Sequence, residues 1–484
     1  MSNFYITVIL WSLEYTVPPI ILSCTKTAQI SIHWFYIKYM GFKLLLVFNN
    51  RHFHSLLGNL VSAFLNVLSF AILVRLLSLS AFGEWVLFIG TYTVLDQIRT
   101  ALLQSGIIKF YTGVDEKTGR EVAGSAWYLV LILTGIYLLL NLIAGLILYN
   151  FFDETWRFFM RWLGVMMVVS VPFNVASWFL QAEHRFDKIL QIRFWQNGGF
   201  LVLILVFHFF GTVTLPYVLV AYMTGLAATS GFTLLKGWTK VRTVVHSTKK
   251  QVIILVKYGW LIVGSMISSG FLNYSDNFLI RTMISPAAVA IYSIPQKFME
   301  VIEIILRSFV ATAQPTLSGA ANRNEWPEVS RAFSRYTGVV SIVIIPFIIG
   351  MIVFTQPLII ILAGRAYLPA TDVVRIFLLC AFLYPIDRFI GVALDMINRP
   401  LTNFYKNFIK LVLNIIGDIV FIRLFHDVRW VAFGSLLNMV FCVVIGYYML
   451  KKYVPFTTGE IIRLGWAECL VMLEKVTGKL KLVK

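Results

Sequence analysis

Charge is scarce in this 484-residue chain: Asp, Glu, Lys and Arg make up 13% of it, and only 23 residues are acidic. A soluble domain carries about 25% charged residues. With 59% hydrophobic residues and a mean hydropathy of +0.80, the chain has more apolar surface than a soluble core can bury, which makes it an integral membrane protein. Cysteine is equally sparse. The four residues Cys24, Cys380, Cys442 and Cys469 are scattered, and two lie inside apolar runs, which excludes a disulfide framework and a thiolate metal site. No GxxxxGK[ST] loop, GxGxxG turn or HExxH helix occurs, so no nucleotide, cofactor or metal chemistry is implied. Long polar segments are missing too, which argues against a membrane polymerase or ligase with a large catalytic loop and against any enzyme.

What is abundant is the apolar run. Twelve are long enough to cross a bilayer, near 55–77, 84–107, 125–149, 160–182, 189–210, 213–235, 256–281, 287–313, 334–355, 372–394, 403–424 and 430–450. The expected fold is all-α and polytopic. The net charge of +18 does not point to nucleic acid, because Lys and Arg sit mostly at the ends of these runs. They crowd the N-terminal segment, the even-numbered connections and the tail after Lys451, so both termini and the 236–255 link are expected to be cytoplasmic. That link is polybasic and suits anionic headgroups as well. Residues 1–50 contain Glu14 and Pro18-Pro19 and lack the pattern of a signal peptide; they read as an N-terminal extension, with Met40 as an alternative start. The short run at 356–371 and the tail beyond residue 452 are expected to lie along the membrane surface, the tail as a basic amphipathic helix.

The chain is duplicated. FLNVLSFAILVRLLSLSAFGEW from Phe64 lines up with FLNYSDNFLIRTMISPAAVAIY from Phe271, placing Arg75 opposite Arg281 and Trp85 opposite Tyr292. Six spans separate the copies, so the halves share one orientation: 51–240 is the first six-helix bundle, 241–452 the second, and 453–484 a cytoplasmic tail. A parallel repeat of this kind places a substrate path between its halves.

Charges inside the spans are the candidate machinery, since they are expensive in hydrocarbon and turn toward a bundle interior or a wet cavity. Lys297, Glu300, Glu303 and Arg307 fall within a sector of roughly 120° on one helix. Arg99, Lys297, Arg307, Arg375 and Arg388 are the candidate cavity cations, suited to replacing the hydration of an anionic head group. Asp96, Asp276, Glu300, Glu303 and Asp387 are candidate coupling or structural acids, and Asp395 and Asp418 lie in or near spans as well. Arg99 follows Asp96 by three residues, Lys297 precedes Glu300 by three, and Arg307 follows Glu303 by four, so intrahelical pairing is an equal alternative. Arg75 and Arg281, near the outer ends of their spans, read as interface-snorkelling or helix-capping residues.

LVRLLSLSAFGEWVLFIGTYTVL after the first span and NFLIRTMISPAAVAIYSIPQKF after the seventh, on two six-helix halves, resemble the polysaccharide-biosynthesis flippases of the Wzx type. These share a superfamily with multidrug and toxin extruders and lipid II flippases. The resemblance covers about residues 50 to 450. It implies two bundles that alternate between inward-open and outward-open states in the bacterial inner membrane and move an undecaprenyl-pyrophosphate-linked oligosaccharide. It also implies a polysaccharide polymerase and chain-length machinery as further partners. A cation-coupled multidrug extruder is the main alternative: its relatives carry an acid in the first or seventh span, and here Asp276 keeps that option. A lipid II flippase normally has two more spans than are present.

Overall fold

The computed structural model describes residues 51–147, 153–211 and 213–481, so the N-terminal extension and the Met40 start lie outside the described residues. No strand occurs among the described residues. The first half runs α1 (Arg51–Leu76), α2 (Leu79–Tyr111), α3 (Glu116–Ile147), α4 (Glu154–Val169) continuing after a kink as α5 (Val171–Ala182), α6 (Phe186–Arg193) passing through a π-helical turn into α7 (Gly199–Phe210), and α8 (Leu215–Leu235). The second half runs α9 (Lys249–Met283), α10 (Pro286–Asn322), α11 (Trp326–Val353), the short α12 (Thr355–Ala363), α13 (Thr371–Met396), α14 (Pro400–Phe425) and α15 (Val428–Lys451), followed by the tail helix α16 (Thr458–Lys481).

Among the described residues every expected span is largely helical, and most helices extend beyond the apolar run at one end or both. Eight stretches are long and apolar enough to cross a membrane by composition, so the chain is a multi-pass membrane protein. The other expected spans, α1, α9, α10 and α14, are 26 to 37 residues long. Three of them, α9, α10 and α14, carry the polar residues described below, and this polarity depresses their hydropathy.

The repeat is visible in its turns. Ser78 caps α2 by accepting from the Ala81 N–H at 3.3 Å, and Ser285 caps α10 by accepting from the Ala288 N–H at 3.2 Å. Each follows a helix whose last turn holds the repeat-related arginine, Arg75 or Arg281.

Two close approaches fix how the halves meet. A Cβ at Gly259 of α9 would stand 2.1 Å from the Leu102 carbonyl oxygen of α2, and one at Gly83 of α2 would stand 1.7 Å from the Pro286 carbonyl oxygen at the start of α10. Only glycine lets the backbones come this near. Further along the same seam, Gly90 meets the Tyr274 ring and Gly106 meets Leu255, so α2 and α9 pack along most of their length. The connecting link is also clasped. Its short 3₁₀ turn lies on α3, where Gly124 makes room for the Thr243 carbonyl, Trp127 Nε1 donates to the Thr239 carbonyl at 2.7 Å, and Ser125 exchanges hydrogen bonds with the Thr248 backbone. The tail helix α16 crosses α11 at a Gly338–Gly465 contact.

Candidate functional site

The two ends of the molecule differ. The charge-rich end carries the links 109–124, 236–255 and 316–333; the charge-poor end carries the Ser78 and Ser285 turns and α12. At the charge-poor end the halves are joined. Val74 of α1, Leu77 just after it, Phe82 of α2, and Ala288, Val289, Ala290, Tyr292, Ser293, Ile294 and Pro295 of α10 are buried, and the Phe82 and Tyr367 rings meet edge to face at 6.2 Å. Toward the charge-rich end Phe64 is 67% exposed on α1, and Val301, Ile304 and Arg307 are exposed on α10. Among the described residues, α1 and α10 touch at Lys297, whose ammonium lies 5.3 Å from the centre of the Phe70 ring. Exposed charges within a spanning helix turn to a wet cavity and not to hydrocarbon, so the exposed charges of α10 mark this side as a cleft between the halves toward the charge-rich end. The repeat-related pair α9 and α2 packs closely along its length.

The polar face of α10 lines this cleft. Phe298, Ile302, Leu306, Val310 and Leu317 form its buried side; Glu300 and Arg307 are exposed on the opposite side, and Lys297 and Glu303 are partly covered at its edges. The charges pair along the helix, Lys297 Nζ with Glu300 Oε1 at 2.7 Å and Arg307 Nη2 with Glu303 Oε1 at 2.9 Å. Arg307 remains 65% exposed, so its guanidinium keeps donors free for an anion. Arg388 of α13 is exposed and, with Glu303, lies close to Tyr384, which continues the charged wall onto a second helix. Arg375 is exposed too, but it stands about 20 Å further along α13 at 1.5 Å per residue, near the charge-poor end and apart from this group.

Arg99 departs from its expected place. It is fully buried inside the first half. Its guanidinium is bound by the Asp96 carboxylate, by Ser170 Oγ at 2.8 Å and by the Met167 carbonyl at 2.9 Å. Asn174 Nδ2 donates to both oxygens of Asp96, at 3.2 and 3.3 Å. The reason is the kink: Pro172 interrupts the α4–α5 helix and frees carbonyls in the turn before it, and Arg99 with Asp96 fills that gap. The intrahelical alternative is thus the observed one.

Behind the cleft wall, the second half contains a continuous buried polar network. Asp387 of α13 accepts from Lys406 Nζ at 2.6 Å and Lys410 Nζ at 2.8 Å of α14, so it pairs with another helix and not with its neighbour Arg388. The Asn438 amide of α15 donates to the Lys410 carbonyl and to Asn414 Oδ1. Asn414 Nδ2 bridges Asp276 Oδ1 at 2.6 Å and Asp418 Oδ2 at 3.1 Å, and Tyr292 donates to Asp276 Oδ2 at 2.7 Å. Lys406, Lys410 and Asn414 escaped selection in the sequence. The signal was there, because Lys406, Lys410, Asn414 and Asp418 recur every four residues and trace one stripe on a helix. Among the described residues no group of three or more His, Cys, Asp or Glu forms a metal-ligand cluster.

Arg281 differs from expectation, whereas Arg75 makes a helix-end contact, on a helix of the opposite half. Arg281 Nη2 donates to Glu84 Oε1 of α2 at 2.8 Å and to the Asp153 carboxylate, and the guanidinium lies over the Trp156 ring. Burial alone would raise the Asp153 pKa, but the bonds from Arg281 and from the Trp156 N–H outweigh it and hold the carboxyl below its ordinary value. Arg75 donates to the Ile360 and Ile361 carbonyls of α12. Both arginines contact the opposite half.

A family model described as "Polysaccharide biosynthesis protein" matches residues 72–372. The "Probable low-salt glycan biosynthesis flippase Agl15" of Haloferax volcanii is 23% identical over 314 residues, and the match spans 64% of this chain and 64% of that relative. Among solved structures, an inward-facing multidrug resistance MATE family transporter of the MOP superfamily superimposes with a TM-score of 0.71 at 13% identity, covering 83% of this chain and 95% of that one. The lipid II flippase MurJ in an inward closed conformation gives 0.67 at 13% identity, over 87% and 92%. These two share its fold.

Proposed function

This chain belongs to the polysaccharide biosynthesis protein family, and from that premise we propose that it is a flippase carrying an undecaprenyl-pyrophosphate-linked oligosaccharide across the bacterial cytoplasmic membrane by alternating access. The observation that carries this reading is the charged cleft. A pyrophosphate and its sugars cannot enter hydrocarbon, but a cleft walled by Lys297, Arg307 and Arg388 offers charge-assisted donors in place of water. On this reading the polyprenyl chain stays in the bilayer while the head group sits inside. With the charge-rich end and both termini cytoplasmic, the cleft faces the leaflet on which the lipid-linked sugar is made, and a surface polymer such as an O-antigen or exopolysaccharide is the downstream product.

Extraction of undecaprenyl-linked intermediates from a deletion strain tests this. A complete repeat unit accumulating on the cytoplasmic leaflet, with loss of surface polymer, is the expected result. One observation favours the cation-coupled multidrug extruder as a second reading: Asp276 and Asp418 share a single amide, and a small cation between two such carboxylates relieves their repulsion. Unchanged polymer together with sensitivity to cationic dyes would select that reading.

A further inference from the structure

The arginines at the charge-poor end are related by more than position in the repeat. Arg75 ends α1, the first span of its half, and reaches α12, the connection between the third and fourth spans of the other half. Arg281 ends α9, the first span of its own half, and reaches Asp153, in the connection between the third and fourth spans opposite. Each half thus holds the same connection of its partner with the same residue.

We propose that Arg75 and Arg281 form a two-point latch, related by the internal repeat, that keeps the charge-poor end shut and must release for the cleft to open there. A snorkelling arginine extends to head groups; the Arg281 side chain is only 13% exposed and is enclosed by two carboxylates and the Trp156 ring. Glu84 is 5% exposed, and among the described residues its ion pair is with Arg281. The two points differ in chemistry. The Arg281 point is ionic, with charged partners from α2 and from the cap of α4. The Arg75 point is dipolar: Ile360 and Ile361 lie in the last turn of α12, where the Ile360 carbonyl also accepts from the Gly364 N–H at 3.0 Å and the helix dipole favours a cation. Charge-assisted bonds to carboxylates are the stronger kind, so the Arg281 point carries more of the closure. Phe82, Tyr367 and the Gly83–Pro286 contact lie in the same layer and form the seal that the latch holds together.

The latch rests on the alternating-access reading but not on the identity of the cargo. It is tested on the full chain in lipid nanodiscs, in a background without native cysteines, by electron spin distance measurement between labels at Ser80→Cys in the first half and Ala366→Cys in the second, both exposed positions. The parent should give one narrow short distance. Arg281→Gln should shift most molecules to a longer one, Arg75→Gln a smaller share, and the double variant nearly all. Where Arg281→Gln yields no folded protein, Asp153→Asn and Arg75→Gln decide, since both residues are exposed enough to change without loss of the fold. Each should raise the long-distance fraction at least about twofold, a modest population shift. An unchanged distribution in folded variants overturns the latch. No cargo is present in this measurement, so analysis of exported glycan in the same variants judges the cargo reading separately.

Discussion

Lys410 donates to Asp387 at 2.8 Å from one helix turn beyond Lys406, which holds the other carboxylate oxygen at 2.6 Å. Two cations on one buried acid make the acid the keystone. Asp387→Asn leaves two ammonium groups facing each other without a counter-charge, and the expected loss is about 3–5 kcal/mol. Asp387→Asn combined with Lys410→Met should lose less than Asp387→Asn alone. Thermal unfolding of the purified protein in detergent measures both; a double variant less stable than the single one would deny the pairing.

The Asp96–Arg99 pair is predicted to be structural. Arg99→Met strips the cation from Asp96 and from the α4–α5 kink, costing about 3 kcal/mol or more as a broken buried pair, and transport should fall in step with folded protein. Transport lost at normal protein level and normal melting temperature would return Arg99 to the substrate path.

Lys297→Ala and Arg307→Ala behave in the opposite way. Their partners lie on their own helix and remain partly exposed, so little stability is at stake, and export should fail while protein level stays near normal. Export restored by the exchanged pair Glu303→Arg with Arg307→Glu would make these charges a structural pair and not a cargo contact.

Lys240, in the link, donates to the Tyr111 hydroxyl at 2.6 Å and is paired with Glu183 Oε1 at 2.6 Å. Burial acts to lower its pKa, but these two partners outweigh burial and raise it. A raised lysine contributes its stabilisation in full below the unfolded value of about 10.4 and loses it as pH rises through the folded value. Hydrogen-exchange protection of residues 237–248, corrected for intrinsic rate, should therefore stay constant between about pH 6 and 9 and drop in Lys240→Gln. Protection that fades within that window would contradict the clasp.

The orientation is tested at Ser247, an exposed link residue. Ser247→Cys should resist an impermeant thiol reagent in intact cells and react after permeabilisation; labelling in intact cells would invert the topology.

Local chemistry was enough to specify a great deal here. Apolar runs of bilayer length dictate the helices, because no backbone polar group can stay unpaired in hydrocarbon, and the Ser-capped turns follow from the same local rule at both copies of the repeat. The polar stripe on α10 is likewise a property of spacing along one helix. Tertiary structure alone decided which charge meets which. Arg99 and Arg307 each follow an acid within one helical turn, yet one is sealed against the kink at Pro172 and the other is exposed on the cleft side. The stripe from Lys406 to Asp418 became a network only when α13, α9 and α15 supplied Asp387, Asp276 and Asn438. Arg75 and Arg281, unremarkable at span ends, acquired partners from the opposite half. A charge in a low-dielectric interior is governed by groups a few ångströms away, and packing, not sequence separation, determines what those groups are.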